Sequence, residues 1–387
     1  MRVLYDHQIF TSQRYGGISR YFFELIQQYM KDPKIRITLS VNHSDNIYYN
    51  EIKSLHPEIL NRKSNLFRNL PALMRNYFGG LSRGKLPKPK SFNQLYSLQN
   101  IAGQNFDVFH PTYYNPYFLA PLGNKPFVLT IHDMIHERFP HLFDKKDKTA
   151  EQKAYLATHA ACIIAVSETT RRDIIDILGI PQDRVVAVYH GTSFPVVQCG
   201  IPSSSPPILS LPDRYFLFVG HRGSYKNFPF FIQSVSALLK QDHQLMIICA
   251  GGPPFYQEEK AMFRNLNMSN KIFYVPADDS TLIQLYTQAI ALVVPSLYEG
   301  FGMSVLEAFS CGCPVALSSG GSLPEIGKDA AVYFVPTDAD TLRTSLQRLL
   351  YDKNLRENLR NRGFERLSQF SWEKAAEQTK GIYKKFC

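Results

Sequence analysis

The stretch 293–314, Val-Val-Pro-Ser-Leu-Tyr-Glu-Gly-Phe-Gly-Met-Ser-Val-Leu-Glu-Ala-Phe-Ser-Cys-Gly-Cys-Pro, constrains the fold more than any other part of the chain. Residues 291–294 are a short apolar run closed by Pro295, which has no N–H to carry a ladder further. Beyond it Val305, Leu306, Ala308 and Phe309 recur at helical spacing until Gly312 and Pro314 end the element. Strand, glycine-bearing loop, helix is the unit from which an open parallel sheet is built. The loop carries Glu299, Gly300, Phe301 and Gly302. A helix start behind glycines offers free backbone N–H groups and the positive end of a dipole, which suits a phosphate.

Two carboxylates sharpen this. Glu299 would lie at the mouth of the sheet and Glu307 about two turns into the helix. A carboxylate accepts two hydrogen bonds from adjacent hydroxyls. A nucleotide sugar laid across the helix start would give its hexose to Glu299, its diphosphate to the amides and its ribose to Glu307. By spacing alone, a surface helix with a capping glutamate is the simpler reading.

At 387 residues the chain exceeds what one core supports, and with 44% hydrophobic and 20% charged residues it has material for two. No apolar run reaches the length of a membrane span, and the opening Met1-Arg-Val-Leu-Tyr reads as a strand, so a cytoplasmic location is expected. The six cysteines lack zinc spacing and are read as reduced thiols. A net charge of +10 calls for an anionic partner. With no finger spacing or aromatic-basic RNA signature, nucleic acid fits less well than a nucleotide-sugar donor together with an anionic membrane surface. Residues 59–106 contain no Asp or Glu, and in them Arg62, Lys63, Arg68, Arg75, Arg83, Lys85, Lys88 and Lys90 interleave with apolar residues. The stretch 62–90 is read either as a helix with a solvated basic face or as a peripheral membrane contact.

Along the chain, residues 2–9 read as a strand, and Gly16-Gly17-Ile18-Ser19-Arg20 opens a helix carrying Tyr21, Phe22, Leu25, Ile26 and Tyr29 on one face. The loop lacks the Gly-x-Gly-x-x-Gly dinucleotide pattern. Strands at 107–110 and 126–131 end in polar residues, which places His132 and Asp133 where strand ends face a ligand crevice. A further strand at 162–166 is followed by a helix capped by Ser167, and another strand spans 185–189. Residues 195–213, rich in Pro and Ser, read as a linker. A second sheet opens at 215–220 and leads through Arg222 and Lys226, cations able to meet a diphosphate as its glycosyl bond breaks. The backbone at Val275 is where a base would be read. Asp338-Ala-Asp340 has the Asp-x-Asp form but opens a helix, where acidic caps belong, and is assigned no metal. Residues 343–370 read as helical, and Ser371 caps a last helix.

Pro-Ser-x-x-Glu-Gly-Phe-Gly followed by Glu-Ala resembles the donor-site signature of retaining glycosyltransferases of family 4. That resemblance implies an α/β GT-B fold, two Rossmann-like doubly wound domains facing a central cleft. The implied division is 1–194 on the acceptor side, the linker 195–213, 214–370 for the nucleotide sugar, and 371–387 returning to the first domain. It implies a donor site of Gly16, Gly17, Gly220, Arg222, Lys226, Val275, Glu299, Gly300, Phe301, Gly302, Met303, Ser304 and Glu307. Thr-x-His-Asp resembles the family pattern in which His132 contacts the transferred sugar, and Arg20, His110 and Asp133 would lie toward the acceptor. Met303-Ser304 stands where the family more often has Leu-Pro, and Tyr225 precedes Lys226 where Arg-Lys-Asn is commoner. No carboxylate stands out as a covalent nucleophile, so the family's front-face attack is implied, with the departing phosphate as base and no metal or other cofactor. Residues 219–228 resemble mannosyltransferase-like members, favouring GDP-mannose over UDP-hexoses, with a glycan or lipid-linked hydroxyl as acceptor in polysaccharide or glycoconjugate synthesis. The alternatives are a nucleotide-sugar-binding protein without turnover and a GT-B phosphorylase or epimerase.

Overall fold

The computed structural model describes residues 1–60, 89–197 and 211–387. The N-terminal half is built on β1 (Arg2–Tyr5), β2 (Arg36–Leu39), β3 (Val108–His110), β4 (Val128–Ile131), β5 (Cys162–Ala165) and β6 (Val185–Ala187). These form two parallel ladders, β2-β1-β3 and β4-β5-β6, that meet at a single parallel bridge between Phe109 and Phe127. The C-terminal half has β7 (Arg214–Val219), β8 (Leu245–Ala250), β9 (Ile272–Val275), β10 (Ala291–Val294), β11 (Val315–Ser318) and β12 (Ala331–Phe334) in one parallel sheet, ordered β12-β11-β10-β7-β8-β9.

The strands are mainly apolar, with charged residues at the starts of β1, β2 and β7, because helices cover both faces. Along β7, Tyr215 and Leu217 enter one core with Leu306 and Phe309, while Phe216 and Phe218 enter the other with Phe231 and Leu238. Strand order reverses between β7 and β10, where Ala291 pairs with Phe216. The chain connections run to opposite sides from those two strands, the switch point outside whose carboxyl ends an open α/β sheet places its ligand crevice.

Two expected elements end early. The strand read over 2–9 stops at Tyr5, because the buried carboxylate of Asp6 accepts from the Thr112 N–H and the Gln8 side chain, both at 2.8 Å, and turns the chain into the helix Gln8–Ser12. The helical stretch 343–370 is broken at Asp352, whose side chain accepts from the Leu355 N–H at 2.8 Å and starts Lys353–Leu367 after Ala339–Tyr351. Asp338 caps Ala339–Tyr351 through the Asp340 and Thr341 N–H groups. The final helix, Trp372–Lys384, lies on the N-terminal half: Tyr29 Oη donates to the Ala376 carbonyl at 3.1 Å, and Tyr383 shares the core of Tyr5, Tyr21 and Phe22. The five described cysteines are free. Among the described residues no helix is long and apolar enough to cross a membrane. The basic stretch 62–90, apart from the backbone of its last two residues, lies outside the described residues, as do 198–210 of the linker.

Candidate active site

At the β7/β10 crevice the two strand-end loops bring opposite charges together. Lys226 closes a short turn after β7, and Asn227, at φ 57°, takes the left-handed conformation that lets the helix Phe228–Gln241 begin at once. The Lys226 ammonium donates to Glu299 Oε1 at 2.7 Å, and Ser296 Oγ donates to the same oxygen at 2.5 Å. Leu297 N–H to the Tyr225 carbonyl, 2.8 Å, joins the loops. Burial disfavours the ammonium, yet Glu299, with Tyr225 and Asp133, outweighs it and holds Lys226 above its ordinary pKa. Gly302, at φ 107°, then starts the helix Met303–Ser310, whose first amides have no intrahelical partner. Gly220, Val275 and the Gly251-Gly252 turn form the neighbouring rim, with Gly220 N–H bonded to the Ala250 carbonyl at 2.9 Å.

Glu307 is drawn into a second cluster. Its Oε2 accepts from Tyr286 Oη at 2.9 Å and its Oε1 lies 3.5 Å from Arg20, which also meets Asp279 at 3.1 Å. The side chains of Arg20 and Glu307 are 6% and 12% exposed, so this is a nearly dry ion pair spanning the two halves. Burial raises the Glu307 pKa, and Arg20 and the Tyr286 hydroxyl pull against that rise. Beside it, Gly17 faces Met303: a Cβ there would lie 3.4 Å from the Met303 Sδ.

From the N-terminal half, His132 and Asp133 follow β4 and lie directly against Gly300, where an added Cβ would overlap the His132 carbonyl. Ser167 Oγ donates to the Gly300 carbonyl at 2.7 Å and Thr170 Oγ1 at 3.1 Å. The His132 ring is walled by Tyr21, Phe22 and His190, and burial, then His110 and Lys153, push its pKa down to about 3. At neutral pH it is an uncharged hydrogen-bonding group.

Four residues sit elsewhere than expected. Arg222 does not join Lys226; its guanidinium is bound to Glu259 at 2.6 Å and to the Pro253 and Pro254 carbonyls, under the ring of Phe255 at 4.9 Å. It ties the loop after β7 to the start of the helix Gln257–Asn265. His110, fully buried, links Tyr383 Oη at 2.5 Å to Thr130 Oγ1 at 2.9 Å and has no face toward an acceptor. Phe301 is a core residue, 4.6 Å from the His190 ring and packed on Phe370, so only its backbone borders the crevice. Arg20, expected toward the acceptor, sits on Glu307. Ser296, Tyr286 and Asp279 were not singled out from the sequence. Ser296 alone carried a signal, as the serine three residues before Glu299.

Three histidines, His110 and His190 buried and His132 half-buried, give a pH prediction. His110 and His132 are each pushed down to about 3, and burial, then His132, lowers His190, whose nitrogens have no hydrogen-bond partner between the Phe301 and Trp372 rings. Unfolding below about pH 6.5 lets each bind a proton that the native state refuses. Their stabilisation is therefore whole above that pH and is lost as pH falls toward the native values, by up to about 1.4 kcal/mol per pH unit for each ring. Urea midpoints should drop between pH 7.5 and pH 5, and by less in a His190→Phe variant. Equal drops in variant and parent would show that His190 is not held neutral.

Two Rossmann-like units meeting at one crevice define a GT-B glycosyltransferase fold. The chain belongs to glycosyltransferase family 4 of the group 1 glycosyl transferases: residues 15–193 match the family described as Glycosyltransferase Family 4, and residues 206–366 match Glycosyl transferases group 1. It is similar to the O-antigen chain mannosyltransferase B of Escherichia coli, 30% identical over 285 residues that cover 70% of this chain and 74% of that protein. Among solved structures, Anabaena HepE in complex with UDP and glucose superposes over the whole of both chains with a TM-score of 0.73 at 16% identity. A glycosyltransferase from Rickettsia africae superposes with a TM-score of 0.68 at 17% identity, over 100% of this chain and 98% of the other.

Proposed function

We propose that this glycosyltransferase moves a hexose from a nucleoside diphosphate sugar to a hydroxyl of a glycan or lipid-linked acceptor, with retention of configuration and without a metal or other cofactor. The observation that carries the reading is the Lys226–Glu299 pair at the β7/β10 crevice, one turn of loop from the open helix start at Met303. As the bond from the anomeric carbon to the phosphate oxygen breaks, charge grows on the leaving diphosphate. Lys226 and the amides of Met303 and Ser304 are fixed in advance to receive it. Glu299, with Oε1 committed to Lys226 and Ser296, would offer Oε2 to the sugar hydroxyls. Glu307 would reach the ribose from its place between Arg20 and Tyr286. Neutral His132 would contact the sugar near the reacting carbon, and the acceptor proton would pass to the departing phosphate.

In this reading 1–194 is the acceptor side, 195–213 the linker, 214–370 the donor domain and 371–387 the returning helix. The E. coli mannosyltransferase relative supports mannose as the sugar moved, which we take from GDP-mannose, and the HepE complex keeps UDP-sugars in view. A thermal-shift and hydrolysis screen against UDP-, GDP-, ADP- and TDP-sugars with EDTA present tests the reading. Stabilisation by one nucleotide class with slow sugar release is expected; binding without turnover would favour a binding protein, and no binding would remove the donor site. A cytoplasmic protein that meets the inner membrane face through 62–90 should sediment with anionic vesicles at low salt and be released as salt rises. Failure to sediment would leave the basic residues to another partner.

A further inference from the structure

Two consecutive peptides, Glu299–Gly300 and Gly300–Phe301, are held from opposite halves. The Glu299 carbonyl accepts from Ser322, from its N–H at 3.0 Å and its Oγ at 3.1 Å, within the C-terminal half. The next carbonyl, that of Gly300, accepts from Ser167 and Thr170 of the N-terminal half. Ser167 caps the helix Glu168–Leu178 and Thr170 lies in its first turn, and the start of that helix is itself held across the junction. The Glu168 and Thr169 N–H groups donate to the two oxygens of Glu325 at 2.8 Å each, and Thr169 Oγ1 adds a third bond at 2.7 Å. Glu325 is thus an anion at a helix N-terminus, supplied by the opposite half of the molecule. Arg366 fixes it in turn by donating to the Glu325 and Ile326 carbonyls at 2.9 and 3.0 Å.

We propose that Glu325, Thr169 and Ser167 are positioning residues: by docking the helix Glu168–Leu178 on the C-terminal half they fix the Gly300 peptide, and with it the Glu299 carboxylate, in working register with Lys226. This rests on the Lys226–Glu299 crevice being the donor site. None of the three needs to touch the donor. Their effect passes through one peptide unit, so it falls on the orientation of Glu299 rather than on the cations and amides that bind phosphate. Opening of the junction frees the Gly300 carbonyl and leaves Glu299 held from one side only.

The test compares full-length wild type with Glu325→Ala, Glu325→Gln, Thr169→Val and Thr169→Ser. GDP and UDP binding is measured by calorimetry, and sugar release from GDP-mannose and UDP-glucose is followed under saturating donor. Glu325→Ala removes charge-assisted bonds to two amides, and a fall in kcat of about 10- to 100-fold is expected, with the nucleotide Kd within about threefold of wild type. Thr169→Val should lose part of that activity and Thr169→Ser should restore it, since serine keeps the donating hydroxyl. Wild-type kcat in both Glu325→Ala and Thr169→Val overturns the proposal. So does a loss that tracks nucleotide affinity and melting temperature, which would make the junction structural only. Wild type that binds neither GDP nor UDP removes the donor reading and the proposal with it, whereas a wild type that binds and turns over isolates the outcome to the junction.

Discussion

Replacing Glu299 by alanine should lower turnover by about 10²- to 10³-fold. Glu299 Oε1 is the acceptor for both Lys226 and Ser296, so the substitution takes away the sugar-facing carboxylate and the group that fixes the ammonium. Without it, burial is no longer outweighed and the Lys226 pKa falls. The lysine side chain, 21% exposed beside a 12% exposed partner, would be free to reorient toward water. Lys226→Ala should cost a comparable factor by leaving the diphosphate charge unmet. Because the two act as a unit, the double variant should be little worse than either single one. Glu299→Gln keeps an acceptor for Ser296 but not the charge, and is expected to be nearly as slow as alanine. Single-turnover rates at saturating donor, with melting temperatures measured alongside, check this. An alanine variant within threefold of wild type would remove Glu299 from the chemistry, and fully multiplicative losses would show that the pair does not act together.

What the sequence made legible follows from what a parallel sheet demands locally. A strand buried on both faces must be a continuous apolar run, and a glycine loop into a helix start must follow it, so β10, its loop and Met303–Ser310 could be read within a few residues. Lys226 and Glu299 were legible together because loops at neighbouring strand ends converge at a switch point whatever their side chains. Side-chain direction was less accessible. Arg222 shares a loop with Lys226, but its guanidinium is claimed by Glu259, 37 residues on, and by proline carbonyls that no local pattern announces. His110 ends a strand as His132 follows one, yet alternation sends it into the core toward Tyr383 of the last helix. Arg20 was misplaced for a third reason. Its partners Glu307 and Asp279 lie in the other half, and their meeting depends on how two separately folded sheets dock. Local periodicity carries no information about that.

Gly300→Ala should be the single-methyl change with the broadest consequence. A Cβ at this position would overlap the His132 carbonyl oxygen and come within 2.9 Å of both the His132 carbonyl carbon and the Asp133 Cβ. Those are backbone and near-backbone atoms, with no rotamer to yield, so the loop after β10 and the end of β4 must move apart. Separation breaks the bonds from Ser167 and Thr170 to the Gly300 carbonyl and shifts the peptide that carries Glu299. The expected loss of stability is about 1–3 kcal/mol from overpacking. The expected loss of turnover is larger, at least about 100-fold, because displacement by about an ångström at the reacting groups costs that much. Gly381→Ala is the matched control: nothing lies within 4 Å of its Cβ, and in the interior of Trp372–Lys384 alanine should stabilise by about 0.5–1 kcal/mol and leave turnover alone. Thermal denaturation and kinetics on both variants separate the effects. If Gly300→Ala melts and turns over as wild type does, the two halves do not press together at this peptide during catalysis. If it binds nucleotide normally but has lost turnover, the closed junction is where phosphate binding is converted into sugar transfer.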